Sequence, residues 1–169
     1  MRIFLDLDGV IVDFAKGVIE WYNLNCKPED WKSWGDIFKY YKKSERNFWD
    51  GLTDKFWIDL EFTKEAKEIL TLVEPFKPCI LTTPSWTGAG GKQQWIRKNL
   101  PDYFNDDRYL IGPPKWLLAP GNSLLIDDAE ENIRKFCASG GIGILVPRPW
   151  NYLHRENVIE HLKRSLNRL

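Results

Sequence analysis

Arg2-Ile3-Phe4-Leu5-Asp6-Leu7-Asp8-Gly9-Val10 is a short apolar run that ends in acids. A run this short and this apolar predicts a strand over residues 2–7, buried on both faces of a parallel sheet. Its carboxyl end then opens into a site. For Asp6 and Asp8 to act at one place the chain must turn there, and Gly9 permits the turn. Working outward, Pro78–Thr83, Ser123–Asp127 and Gly141–Val146 have the same form, and Arg108–Gly112 is a weaker fifth. Helical spacing separates them. Ala66, Ile69, Leu70 and Val73 share a face over Thr63–Val73, Trp95, Ile96 and Leu100 over Gly91–Leu100, and Ile133, Phe136 and Cys137 over Ala129–Ala138. Val158, Ile159, Leu162 and Leu166 close the chain at the same spacing. Strands alternating with helices predict an α/β fold whose parallel sheet is covered on both faces. In such sheets ligands sit beyond the carboxyl ends of the strands.

Residues 14–61 break this rhythm. They are rich in Trp, Tyr, Phe and Lys, carry helical patterning and no clear strand. The expected division is therefore a discontinuous core, 1–13 and 62–169, with 14–61 as a helical insert packed on it. Any single ring of the insert is read first as core and only then as a ligand contact.

Composition excludes several classes. Of 169 residues, 24 are Lys or Arg and 24 are Asp or Glu, so no positive excess exists to hold nucleic acid through its phosphates. With 43% hydrophobic residues the chain can build a core. No apolar run reaches the length of a membrane span. The early acids at Asp6 and Asp8 are unlike a signal peptide. Cys26, Cys79 and Cys137 lie far apart, as free thiols of a reducing cytoplasm do. A cytoplasmic location is expected, with no membrane partner and no stable nucleic-acid partner; a homodimer is left open.

Carboxylates side by side at a strand end can supply a nucleophile and a proton donor, or metal ligands. Leu81-Thr82-Thr83-Pro84 ends the second strand in hydroxyls, which suit phosphate oxygens but also suit any strand. Lys115 follows Pro113-Pro114, a cation on a stiffened loop. Leu125-Ile126-Asp127-Asp128 ends a further strand in two acids, of which Asp128 can equally be a helix N-cap. Thr87-Gly-Ala-Gly-Gly-Lys92 lacks the Gly and Ser/Thr of a phosphate loop and is read as a flexible turn entering a helix at Lys92. The chain has only His154 and His161, which argues against histidine triads and zinc sites.

Taken in order, DxDGV, TT, Lys and DD resemble the four short motifs of the haloacid dehalogenase superfamily. Asp8-Gly-Val-Ile-Val-Asp13-Phe14, Thr82-Thr83-Pro84, Leu125-Ile126-Asp127-Asp128 and Arg148-Pro149-Trp150-Asn151 resemble its 5′(3′)-deoxyribonucleotidases. The resemblance implies a Rossmann-like three-layer core, with the insert as a small cap after the first strand. It implies Asp6 as phosphoryl acceptor and Asp8 as acid/base. Thr82, Thr83 and Lys115 would bind phosphate. Mg²⁺ would be held by Asp6, the Asp8 carbonyl and, of the last pair, chiefly Asp127. Phe14 and Trp57 would line a base pocket. The implied activity is Mg²⁺-dependent hydrolysis of (deoxy)nucleoside monophosphates through an aspartyl-phosphate. The alternatives are a phosphatase of sugar phosphates or polynucleotide ends, and a silent ligand-binding member, though no acid of the motifs is lost.

Overall fold

Five parallel strands form one sheet in the computed structural model, which describes residues 1–169. They are β1 (Arg2–Leu5), β2 (Cys79–Thr82), β3 (Tyr109–Ile111), β4 (Ser123–Asp127) and β5 (Ile142–Leu145), in the order β3-β2-β1-β4-β5. The expected runs all form strands, and β4 has the expected bounds. The other four are two residues shorter than their runs, because the flanking residues turn away into loops.

The sheet has helices on both faces, and the alternation of strand side chains divides them. Ile3, Leu5, Ile80, Leu124 and Ile126 pack with Ile69 of α5 (Ala66–Val73), Trp95 of α6 (Ala89–Asn99) and Leu162 of α9 (Val158–Leu166). On the opposite face Phe4, Leu81 and Leu125 pack with Phe136 of α8 (Glu130–Ala138). Alternate residues of β1 thus serve different layers, which is why its sequence reads as continuously apolar. One further helix, α7 (Pro101–Asn105), was not expected; five residues, the first of them proline, are too few to show a period.

Between β1 and α5 lie α1 (Phe14–Trp21), α2 (Ile37–Tyr41), α3 (Glu45–Asp50) and α4 (Asp54–Asp59). Asp13 caps α1, its Oδ1 accepting from Lys16 N at 3.1 Å. The outgoing and returning stretches of chain meet: Asp13 N donates to Glu61 O at 2.9 Å and Thr63 N to Ile11 O at 2.8 Å. Beyond that neck the segment has its own apolar cluster, including Phe14, Val18, Trp31, Phe48, Phe56 and Trp57. Trp150 joins this cluster from the loop after β5. No helix is long and apolar enough to cross a membrane.

Candidate active site

The order of the sheet reverses between β1 and β4, and the strand ends on either side of that switch point face one cavity. Leu5 lies opposite Ile126, so Asp6 comes to rest beside Asp127, its N–H donating to Ile126 O at 2.9 Å. The chain then folds back sharply. Val10, Ile11 and Val12 all donate their N–H groups to Leu7 O, and Gly9 takes φ +72°. A side chain at Gly9 is excluded for a second reason: a Cβ there would lie 2.4 Å from Asp128 Oδ2. The glycine lets the last acid pair approach the first.

Lys115 Nζ lies 2.6 Å from Asp6 Oδ1 and 2.6 Å from Asp127 Oδ2. Burial by itself would lower this lysine, but the two carboxylates outweigh it and hold the ammonium above its usual range. Burial pushes Asp6 up to about 7; Asp127 and Asp8 add to the rise and Lys115 opposes it. Asp128 is likewise raised by burial and by the charges of Asp127 and Asp6. Asp6, Asp127 and Asp128 each offer an oxygen within 4.8 Å of the others. One lysine does not balance so many buried acids, and the surplus fits a hard divalent cation.

The two acids of the last pair are differently engaged. Asp127 is fully enclosed, accepting from Ala129 N at 2.8 Å, from Asn132 Nδ2 at both oxygens, and from Lys115. Asp128 accepts at Oδ2 from the Trp150 indole at 2.7 Å and faces the cavity. The helix-cap reading of Asp128 is corrected, since Ala129 is the residue before α8 and Asp128 turns into the site.

Lys92 is the largest departure from expectation. The helix begins at Ala89, not at Lys92, so Lys92 sits one turn inside and is buried. Its ammonium pairs with Asp8 Oδ2 and donates to Thr82 Oγ1 at 2.8 Å and Thr83 O at 3.1 Å. The signal was in the spacing: Lys92 precedes Trp95 by three residues and Ile96 by four, placing it on the same inward face. Asp8 Oδ1 is buried without a partner. Thr82 is buried behind Lys92, whereas Thr83 lines the cavity.

That cavity, about 370 Å³, is lined by the charged side chains of Asp6, Asp8, Lys92, Lys115 and Asp128. Aromatic rings line it too. Phe14 and Trp57 reach it, but each is only 2% exposed, stacked on the other at 5.4 Å. Trp34, Trp49 and Trp86 line it as well, and Trp86 is 65% exposed. The Trp86 indole donates to Asp50 Oδ1 at 2.6 Å, and Thr87 Oγ1 donates to Trp49 O, so the loop after β2 is latched to α3. A lone Trp in a loop has no periodicity to mark it, and sequence reasoning passed over it.

Among solved structures the fold resembles a predicted phosphatase from Clostridium acetobutylicum, at TM-score 0.63 and 14% identity over 99% of this chain and 98% of that one. A hydrolase from Pseudomonas syringae aligns at TM-score 0.58 and 13% identity, over 99% and 98%. A haloacid dehalogenase family hydrolase from Deinococcus radiodurans, with bound phosphate and sodium, aligns at TM-score 0.60 and 16% identity, over 99% and 95%. A comparison with curated proteins returns no match. The profile of the family "5′ nucleotidase, deoxy (Pyrimidine), cytosolic type C protein" matches residues 1–162, taking in every strand and both acid pairs. The chain belongs to that family, within the haloacid dehalogenase superfamily, and is a phosphoric monoester hydrolase.

Proposed function

We propose that the chain hydrolyses (deoxy)nucleoside 5′- or 3′-monophosphates with Mg²⁺, through an aspartyl-phosphate on Asp6. The observation that carries this reading is one cavity lined both by charged groups and by aromatic rings. The former suit a phosphate and the latter the flat face of a base.

Asp6 attacks phosphorus as the ester oxygen departs with a proton from Asp8. Asp8 then takes a proton from the water that attacks the acyl phosphate, freeing phosphate and restoring Asp6. Lys115 offsets the charge of Asp6 as a dianion approaches. Thr83 and Lys92 line the cavity in which the transferred group would sit, with Thr82 behind them. Asp6, Asp128 and the Asp8 carbonyl would hold Mg²⁺, which supplies Lewis-acid stabilisation of the phosphoryl oxygens. Asp127, saturated by Lys115, Asn132 and Ala129, positions the lysine instead. This reverses the order expected for the pair. Asp128→Ala should therefore weaken Mg²⁺ binding to the metal-free protein far more than Asp127→Ala, by calorimetric titration. Equal losses, or a larger loss at Asp127, would refute it.

A phosphate-release screen over nucleoside monophosphates and sugar phosphates, with Mg²⁺ or EDTA, tests the whole reading. Nucleotides should lead in kcat/KM and EDTA should silence the enzyme; a sugar phosphate in the lead would overturn the substrate class. The rings make a narrower test. Stacking on a base is worth roughly 1–3 kcal/mol, so Trp86→Ala should cost on the order of 5- to 150-fold in kcat/KM for a nucleotide. It should spare p-nitrophenyl phosphate and the melting temperature. Phe14→Ala, by contrast, should lower the melting temperature, because a buried Phe→Ala change costs about 3–5 kcal/mol. An unchanged substrate ratio in Trp86→Ala would remove the base from the pocket.

A further inference from the structure

Residues 148–151, Arg-Pro-Trp-Asn, hold three parts of the molecule at once, and catalysis as described uses none of them. Arg148 donates through Nε to Gly9 O and through Nη2 to Val10 O at 3.3 Å, and pairs with Glu65 at 3.1 Å. Asn151 Nδ2 donates to Asp128 O at 3.0 Å and to Val146 O at 2.8 Å. Between them Trp150 donates to Asp128 Oδ2 at 2.7 Å, while its ring lies 5.8 Å from Trp31 and 6.2 Å from Trp34. All three side chains are buried.

Trp150 is thus the one residue outside 14–61 in the apolar cluster of the helical segment, and the one side chain donating to the Asp128 carboxylate. Trp34, its neighbour, packs on Phe14 at 5.1 Å, and both line the cavity. A rigid indole cannot follow Trp31 and Trp34 outward and still keep its N–H on Asp128.

We propose that Trp150 is a positioning residue that couples the seating of the helical segment to the orientation of the Asp128 carboxylate, so that a divalent cation and the seated segment stabilise each other. The proposal rests on Asp128 being a metal ligand. Coupling of this kind is reciprocal, which supplies a test on the wild-type protein. Mg²⁺ alone, without substrate, should slow backbone hydrogen exchange over residues 28–41, which carry Trp31 and Trp34.

Trp150→Phe keeps a ring and removes the donor. It should weaken Mg²⁺ binding to the metal-free protein about tenfold, the lower end for a partner of a metal ligand, and abolish the exchange protection. Trp31→Leu leaves the Asp128 bond intact and should weaken Mg²⁺ in the same direction by less. Asp128→Asn separates the two readings: if it binds Mg²⁺ like wild type, the metal assignment itself is wrong. If it loses Mg²⁺ while Trp150→Phe does not, the coupling is wrong. Absence of exchange protection in the wild type overturns the proposal even if neither Trp variant folds.

Discussion

Asp6→Asn is expected to abolish turnover and to leave a folded protein that is no less stable at neutral pH. The amide fills the same space and can still accept from Lys115, but it cannot form the acyl phosphate. The stability half follows from the crowding of acids. Burial, with Asp127 and Asp8 nearby, holds the folded-state value of Asp6 at about 7, above the ordinary carboxylate value of 3.8. A group raised on folding binds its proton more tightly in the native state. Its stabilising contribution is therefore complete below the ordinary value and is lost as pH rises through the folded one. In EDTA, wild type should lose stability relative to Asp6→Asn between about pH 4 and pH 7, and the gap should narrow when Mg²⁺ is added. Melting curves across that range test the electrostatics, and phosphate release tests the chemistry. Turnover by Asp6→Asn at more than a few per cent of wild type would sink the covalent mechanism.

What could be read without coordinates divides along a physical line. The five strands and the order of the motifs were legible because burial on both faces leaves an apolar run, and acids at its end have few reasons to be there. The different surroundings of Asp127 and Asp128 were not legible. They depend on which of two adjacent side chains meets Lys115 and which meets Trp150, and both partners arrive from distant loops. Lys92 was hidden by its own neighbourhood. Gly88, Gly90 and Gly91 look like a flexible turn, yet Trp57 packs so closely on this helix that a Cβ at Gly91 would lie 2.5 Å from its Cβ. Gly88, whose Cβ would lie 2.8 Å from the Trp57 ring, and Gly91 make room for Trp57, whereas a Cβ at Gly90 would meet nothing closer than 3.7 Å. Phe14 and Trp57 line the cavity as its buried backing. The exposed ring came from a loop whose latch to α3 no local pattern announces.

Asp8→Asn should separate the two chemical steps. A general acid/base contributes about 10²- to 10⁴-fold, and for an alkyl ester such as a nucleotide both steps need it. With p-nitrophenyl phosphate the departing phenolate is stable unprotonated, so only the second step suffers. The expected result is a burst of p-nitrophenol equal to the enzyme concentration, then slow turnover, with phosphate trapped on Asp6. Lys92 keeps its bonds to Thr82 and Thr83 in this variant but loses its anion. Leaving a buried ammonium without its carboxylate should lower the melting temperature. Lys92→Met in the Asp8→Asn background should recover part of that loss, because the pair is then removed whole, and it should not restore turnover. Rapid-quench kinetics with both substrates decide the matter. A loss of equal size for the nucleotide and the nitrophenyl ester, with no burst, would mean that Asp8 acts in neither step as assigned. Lys92 would then be holding a structural acid, not a catalytic one.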